Sequence, residues 1–232
     1  MPSSGTYAFN LSRDDLIAAS LRLTGRFAAG EAVPADDLAN CAQALNIIVK
    51  EMVTEGLPLW CVQDIPVPLL DGVASYNLSA ITGMPLPQRI LDGYLRYSTG
   101  NDLWFAPKSR YDYDTLGMKN TPGIPNQCYY DPQLGAGTLF FYPVPVDSTC
   151  IYHAVIQRQI QDFNLGTDNP DFPQEAFRLL KWCLADEIAL EYETPEERRR
   201  EINQKAVGLR EKFFSYQQEQ ASVTFTPSER AR

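Results

Sequence analysis

The sequence holds a single histidine, His153, and only five cysteines, Cys41, Cys61, Cys128, Cys150 and Cys183, scattered singly. With no C-x-x-C pair and no histidine cluster, neither a zinc site nor a disulfide framework is signalled. We therefore expect no metal, no cofactor and reduced thiols; Cys41 and Cys183 fall within apolar helical patterns, where cysteine serves as a small hydrophobe. No stretch approaches the ~20 apolar residues of a membrane span, and no basic segment leads into an apolar core near the start, so a soluble, unprocessed chain without a membrane partner is expected. The G-x-x-x-x-G-K-[ST] loop is missing, and Gly135-Ala136-Gly137 lacks the third glycine and the helix of a dinucleotide fingerprint. G-x-S-x-G and H-E-x-x-H are missing too, which leaves His153 in a predicted strand with no partner motif. Positive charge is also short: 20 Lys+Arg stand against 29 Asp+Glu in 232 residues. The resulting −9 argues against gripping the outside of a duplex through its phosphates.

What is present is helical spacing at both ends and dense proline between. Ser12 precedes Arg13-Asp14-Asp15, and Leu16, Ser20, Leu23 and Phe27 follow at helical intervals, which predicts a capped helix over about 13–27 with Leu11 stapling onto Leu16. Leu38, Cys41, Leu45, Ile48 and Met52 predict a second over about 35–55, ending at Gly56 in the left-handed position that favours glycine. From 57 to about 165, prolines such as Pro66, Pro68, Pro122, Pro125, Pro143 and Pro145 are too dense for helices. Segments 62–67 and 74–78 around Asp71-Gly72, and 137–142 and 150–156 around Pro143-Val144-Pro145, read as two hairpins, with the prolines favouring edge strands. Phe177, Leu180, Leu184 and Ile188 restore helical spacing. Thr194-Pro195-Glu196-Glu197 then predicts a threonine-capped last helix carrying Ile202, Ala206, Leu209, Phe213 and Tyr216.

These elements predict a mainly α fold of the α+β class. A four-helix core bundle, the discontinuous domain 1–57 and 170–220, is interrupted by a β-rich insertion, 58–169, and followed by an extended C-terminal arm, 221–232. On its own the arm reads equally as a frayed end or as a strand-like peptide that docks on a partner.

Catalytic chemistry is weakly specified. Asp92, Asp102, Asp112, Asp114 and Asp131 could supply the paired carboxylates of a glycoside hydrolase, and Tyr94, Tyr97, Trp104, Phe105, Tyr111 and Tyr113 a sugar platform. Aromatics alternating with polar residues equally describe a half-buried sheet face or an interface. In the run 191–201, glutamates cancel the field of Arg198, Arg199 and Arg200, and Glu196 and Glu197 stand at helical pairing distance from Arg200, so a solvated helix face is expected.

The order of several short motifs resembles the head-to-tail adaptor proteins of short-tailed bacteriophages, also called tail accessory or packaged-DNA stabilisation proteins. The motifs are Ser12-Arg13-Asp14-Asp15-Leu16-Ile17; Ala44-Leu45-Asn46 leading into Glu55-Gly56-Leu57-Pro58-Leu59-Trp60; and Gly123-Ile124-Pro125 before Tyr129-Tyr130. Leu139-Phe140-Phe141-Tyr142-Pro143-Val144-Pro145 follows, then Phe172-Pro173 opening the helix with Leu184-Ala185-Asp186-Glu187-Ile188-Ala189. The resemblance implies a non-enzymatic virion protein, assembled in the host cytoplasm as a homododecameric ring. It implies a ring that binds the portal protein, continues the channel through which double-stranded DNA passes without sequence-specific contacts, and receives downstream nozzle or needle proteins. It also implies a portal-binding arm, whose candidate contacts here are Val223, Phe225, Thr226, Pro227, Arg230 and Arg232. An acidic chain suits a channel along which DNA slides. The rival reading from another class is a virion-associated cell-wall (peptidoglycan) hydrolase.

Overall fold

The computed structural model describes residues 5–56, 58–81 and 87–217. Among these, the helices are α1 (Arg13–Thr24), α2 (Ala35–Glu55), α3 (Arg110–Asp114), α4 (Phe177–Ile188) and α5 (Glu196–Tyr216). The strands are β1 (Val62–Pro68), β2 (Ser75–Asn77), β3 (Pro87–Arg96), β4 (Asp102–Trp104), β5 (Pro122–Gly123), β6 (Gln127–Gln133), β7 (Ala136–Tyr142), β8 (Val144–Pro145) and β9 (Ile151–Arg158). The proposed arm, 221–232, lies outside the described residues.

Helix, 3-10 turns included, and strand account for about 38% and 24% of the described residues, which form five α-helices and three sheets, so the expectation of a mainly α fold around a four-helix bundle is corrected to a balanced α+β fold. The physical reason is visible in the packing. Strands β1, β2, β3, β6, β7 and β9 form sheets around an apolar cluster of their own. Helices from both ends of the chain do share one cluster that includes Leu16, Leu45, Ile48, Leu180, Leu184 and Phe213. In it α4 is the hub, packed against α1, α2 and α5. Cys61, Ile160, Phe163 and Phe172, from outside these helices, fill the same cluster, so four helices do not close on one another.

Local chemistry sets the helix ends. Ser12 Oγ accepts from the Asp15 backbone N–H at 3.2 Å while the Asp15 carboxylate accepts from the Ser12 N–H at 3.3 Å, a reciprocal cap that opens α1. Gly25 closes α1 in the left-handed conformation, φ 83°. Gly56 does not do this for α2: its φ of −169° is extended backbone open to any residue. Its role is space, because a Cβ there would come within 3.3 Å of the Phe214 ring.

The expected cap at Thr194 is also corrected. Pro195 is the N-cap of α5 and no side chain caps the helix. The α4–α5 turn is closed by the Thr194 N–H donating to the Ala189 carbonyl at 3.0 Å, with Glu193 at positive φ, 48°. Within this tight turn Thr194 is buried and its hydroxyl lacks a hydrogen-bond partner. Thr194→Val is therefore expected to stabilise the protein by about 1 kcal/mol, since a methyl replaces a buried, unsatisfied hydroxyl. The urea midpoint should rise with the slope unchanged. An unchanged or lower midpoint would show that the hydroxyl has a partner.

The strands fall in the expected places but pair differently. β1 pairs antiparallel with β9, from Val62 with Gln157 to Pro68 with Ile151, inside a sheet of order β1-β9-β3-β4. β2 pairs with β7 in a second sheet, β2-β7-β6, and a parallel pair of two-residue strands, β5-β8, forms the third. Neither expected hairpin exists: loops 69–73 and 143–149 each carry the chain from one sheet to another. The two larger sheets bury Ile65, Val67, Leu95, Tyr130, Leu139, Phe141, Tyr152 and Ile156 in one cluster. Strict alternation of buried and half-buried residues along β7 is the pattern of a strand with one face on that core.

Candidate interaction surfaces

The four-stranded sheet has two unlike ends. At one, β1 begins directly after Cys61, which belongs to the helical cluster, and β9 ends at Arg158, whose guanidinium forms a fork on the Asp171 carboxylate, with Nη2 to Oδ1 at 2.8 Å. At the other, loops 69–73 and 143–149 are stitched together: the Gly72 N–H donates to the Pro145 carbonyl at 2.9 Å and the Leu69 N–H to the Cys150 carbonyl at 3.1 Å. The Val144 N–H donates to the Thr121 carbonyl at 2.9 Å and draws in the loop that contains Met118 and Ile124. Asp147 fixes the third side of this tip by accepting from the Thr149 hydroxyl and N–H, which hold its carboxyl below the usual range. The converging loops expose Leu70 (55%), Met118 (80%), Ile124 (51%) and Val146 (48%). Apolar side chains gathered on hydrogen-bonded loops are the composition of a contact surface. Strands of this length at ~3.3 Å per residue hold the tip about 20 Å from the helical cluster.

A second surface lies in the helical half. Between the start of α4 and the end of α5 runs a groove of about 280 Å³, floored by Leu179, Leu209 and Phe213 and rimmed by Glu175, Arg178, Lys212 and the exposed Tyr216. The opposite end of α5 is pinned to α1. Arg198 Nε donates to the Leu23 carbonyl at 2.6 Å, and Nη2 donates at 3.3 Å to the Arg22 carbonyl, which also accepts from the Gly25 N–H, so the guanidinium caps the α1 C-terminus. Arg198 is thus not part of a purely solvated face, whereas Arg200 does pair with Glu196 on the helix surface.

The third surface is the outer face of the four-stranded sheet. Asp64 on β1 uses both carboxylate oxygens: Oδ2 accepts from the Tyr94 hydroxyl at 2.8 Å, and Oδ1 lies 2.9 Å from His153 Nδ1. The hydrogen bond from Tyr94 to the carboxylate raises that phenol above its usual range. Tyr94 on β3 stacks on His153 with centroids 4.7 Å apart and packs at a tilt against Trp104 at 4.6 Å, and Arg96 lies over its ring while chelating Asp102 through two bonds of 2.9 Å. The result is a fixed ladder across all four strands that ends in Trp104, 61% exposed. His153, expected to stand alone, is part of this ladder. Period-two alternation places Asp64 and His153 on outward positions, but the neighbour relation depends on the β1–β9 register, which the expected hairpins do not contain.

The expected carboxylates do not converge. Asp102 is bound to Arg96, with its carboxyl held below the usual range by that partner. Asp112 pairs with Ser109 at the start of α3, Asp114 with Arg110 and Lys119, and Asp131 accepts from Gln133 on β6, while Asp92 accepts from the Gly93 N–H. The aromatic run divides as well. Tyr94 and Trp104 join the outer ladder, Tyr97 and Phe105 pack on the inner cluster, and Tyr113 stacks with Tyr129 and packs at a tilt against Phe140 on the second sheet, leaving Tyr111 exposed. The described residues include no group of three or more His, Cys, Asp or Glu able to hold a metal, and no helix long and apolar enough to cross a membrane. All five cysteines are buried and none is in a disulfide. The six expected portal contacts, Val223, Phe225, Thr226, Pro227, Arg230 and Arg232, lie outside the described residues. Neither a comparison with family models nor one with curated proteins finds a match to this chain.

Proposed function

We propose that the protein is a structural subunit of a phage head-to-tail adaptor, a virion ring that seats under the portal, continues the DNA channel and receives the next tail protein. The observation that carries this reading is the bipolar layout: an apolar loop tip at one end of the sheet, and at the other a helical cluster that includes Phe213 near the end of α5. A connector needs two separate contact surfaces on a stiff spacer, and the β1–β9 ladder supplies the spacer. The net charge of −9 is compatible with a channel wall that does not hold phosphates.

Mixing the protein with its cognate portal and imaging by electron microscopy tests the reading. A ring of copies on the portal supports it; a monomer that ignores portal and turns over peptidoglycan supports the hydrolase instead. The tip gives a finer expectation. Met118→Asp together with Ile124→Asp should leave melting and portal binding unchanged, because both side chains are more than half exposed, yet abolish attachment of the next tail protein. Retained attachment would remove the tip from the interface.

A further inference from the structure

The groove between α4 and α5 opens beside the point at which the described chain ends. Gln217 closes the last turn of α5 by donating to the Phe213 carbonyl at 3.1 Å, and Phe213 and Tyr216 are themselves groove residues. Residues 218–232 follow directly, with the sequence Gln-Glu-Gln-Ala-Ser-Val-Thr-Phe-Thr-Pro-Ser-Glu-Arg-Ala-Arg. Ala221, Val223 and Phe225 alternate with Ser222, Thr224 and Thr226, so an extended chain would present three apolar groups to one side. We propose that in the unassembled subunit this segment lies back, in cis, in the groove of its own chain, with Val223 and Phe225 against Leu179, Leu209 and Phe213.

Reach, charge and proximity favour this occupant. Residues 218–225 span about 26 Å when extended, whereas α5 rises only about 10 Å from Leu209 to Tyr216, which leaves ample chain for a reversal. The rim cations Arg178 and Lys212 face a segment that carries Glu219 and Glu229, and the rim anion Glu175 complements Arg230 and Arg232. A tether this short sets an effective concentration on the order of millimolar, so a weak apolar contact is enough to be populated. The same residues cannot lie in the groove and on a partner at once, so docking in cis would hold the arm back until a partner displaces it. The inference concerns the chain by itself and does not depend on the adaptor reading.

Paramagnetic relaxation in the full chain tests it. Because the five native cysteines are buried, Ser228→Cys places a nitroxide label selectively. Amides of Leu179, Leu209 and Lys212 should lose peak height in the labelled molecule while those of β6 and β7 keep theirs, and adding Phe225→Asp should restore the lost heights. An equal mixture of labelled, isotope-free chain with unlabelled, isotope-enriched chain should show no loss. Loss confined to that mixture, loss that persists with Phe225→Asp, or no loss at all would each overturn docking in cis. The portal experiment reads a different event and is unaffected by any of these outcomes.

Discussion

Gly93→Ala should destabilise the protein by about 3 kcal/mol or more, among the largest effects of any one-carbon addition in this chain. A Cβ on Gly93 would fall 2.0 Å from the Tyr152 hydroxyl oxygen, 2.4 Å from its Cζ and 2.9 Å from the His153 carbonyl. Tyr152 cannot withdraw: it is fully buried, its ring lies against Phe105 and Phe141 at centroid distances of 5.2 and 4.9 Å, and its hydroxyl meets Cys128 Sγ at 3.3 Å. Burial drives both groups to the protonated form, with the Cys128 thiol pushed up to about 12. The glycine is therefore the space in which a tyrosine crosses a strand. Thermal melting checks this, and at ~2–4 °C per kcal/mol for a chain of this size the midpoint should fall by about 10 °C. Tyr152→Phe added to Gly93→Ala should recover part of the loss, since only the hydroxyl contact is relieved. Gly208→Ala is the control. Nothing lies within 4 Å of its added Cβ, and inside α5 it should stabilise by about 0.5–1 kcal/mol. A Gly93→Ala melt equal to that of wild type would mean that the β3–β9 crossing is wrong.

How much of this the sequence discloses depends on whether the signal is local. The spacing of Leu38, Cys41, Leu45, Ile48 and Met52 is a property of one helix, and α2 lies where that spacing puts it. Ser12 and Asp15 are three residues apart and cap α1 as their pattern requires. Thr194 has an equally good local pattern and fails, because the short turn after α4 turns its side chain inward. Gly56 fails for a related reason, as its surroundings are set by Phe214, distant in sequence. Strand partners are harder still. Asp71-Gly72 does form a turn, with Gly72 at φ 74°, but a turn signal does not say whether the chain returns to the same sheet. The Asp64–His153–Tyr94 ladder joins residues from three strands and becomes visible only once the register is known. Two of the three contact surfaces depend in the same way on distant segments meeting.

Arg158→Ala should cost about 3 kcal/mol and, unlike the substitution at Gly93, should separate the two halves of the molecule in their response to heat. Arg158 ends β9 and Asp171 precedes α4, so their fork ties the sheet to the helical cluster; the side chains are 13% and 20% exposed. The carboxylate raises the pKa of Arg158 and also accepts from the Gln161 N–H at 3.1 Å, while Asp171 takes a further bond at its carbonyl from Trp60 Nε1 at 3.1 Å. Removing one member of so enclosed a pair leaves the other charge uncompensated in a place poor in water, a loss of about 3–5 kcal/mol for a fully buried pair and somewhat less here. Exposed ion pairs elsewhere on the chain, such as Glu196 with Arg200, should contribute about 0–1 kcal/mol, so the two classes are distinguishable by melting. The double replacement Arg158→Met with Asp171→Leu should cost less than the sum of the single ones, because no orphan charge remains. The guanidinium also lowers the pKa of the Cys61 thiol, which burial pushes up to about 11, so its removal should slow alkylation of Cys61 in the native state further. In wild type, loss of helix signal and loss of tyrosine near-ultraviolet signal should coincide, as for one cooperative unit. In Arg158→Ala they should part, the helices melting at a temperature different from that of the sheets built around Tyr152 and Phe141. Coincident transitions with an unshifted midpoint would show that apolar contacts around Cys61 and Ile160 are enough to couple the halves without the ion pair.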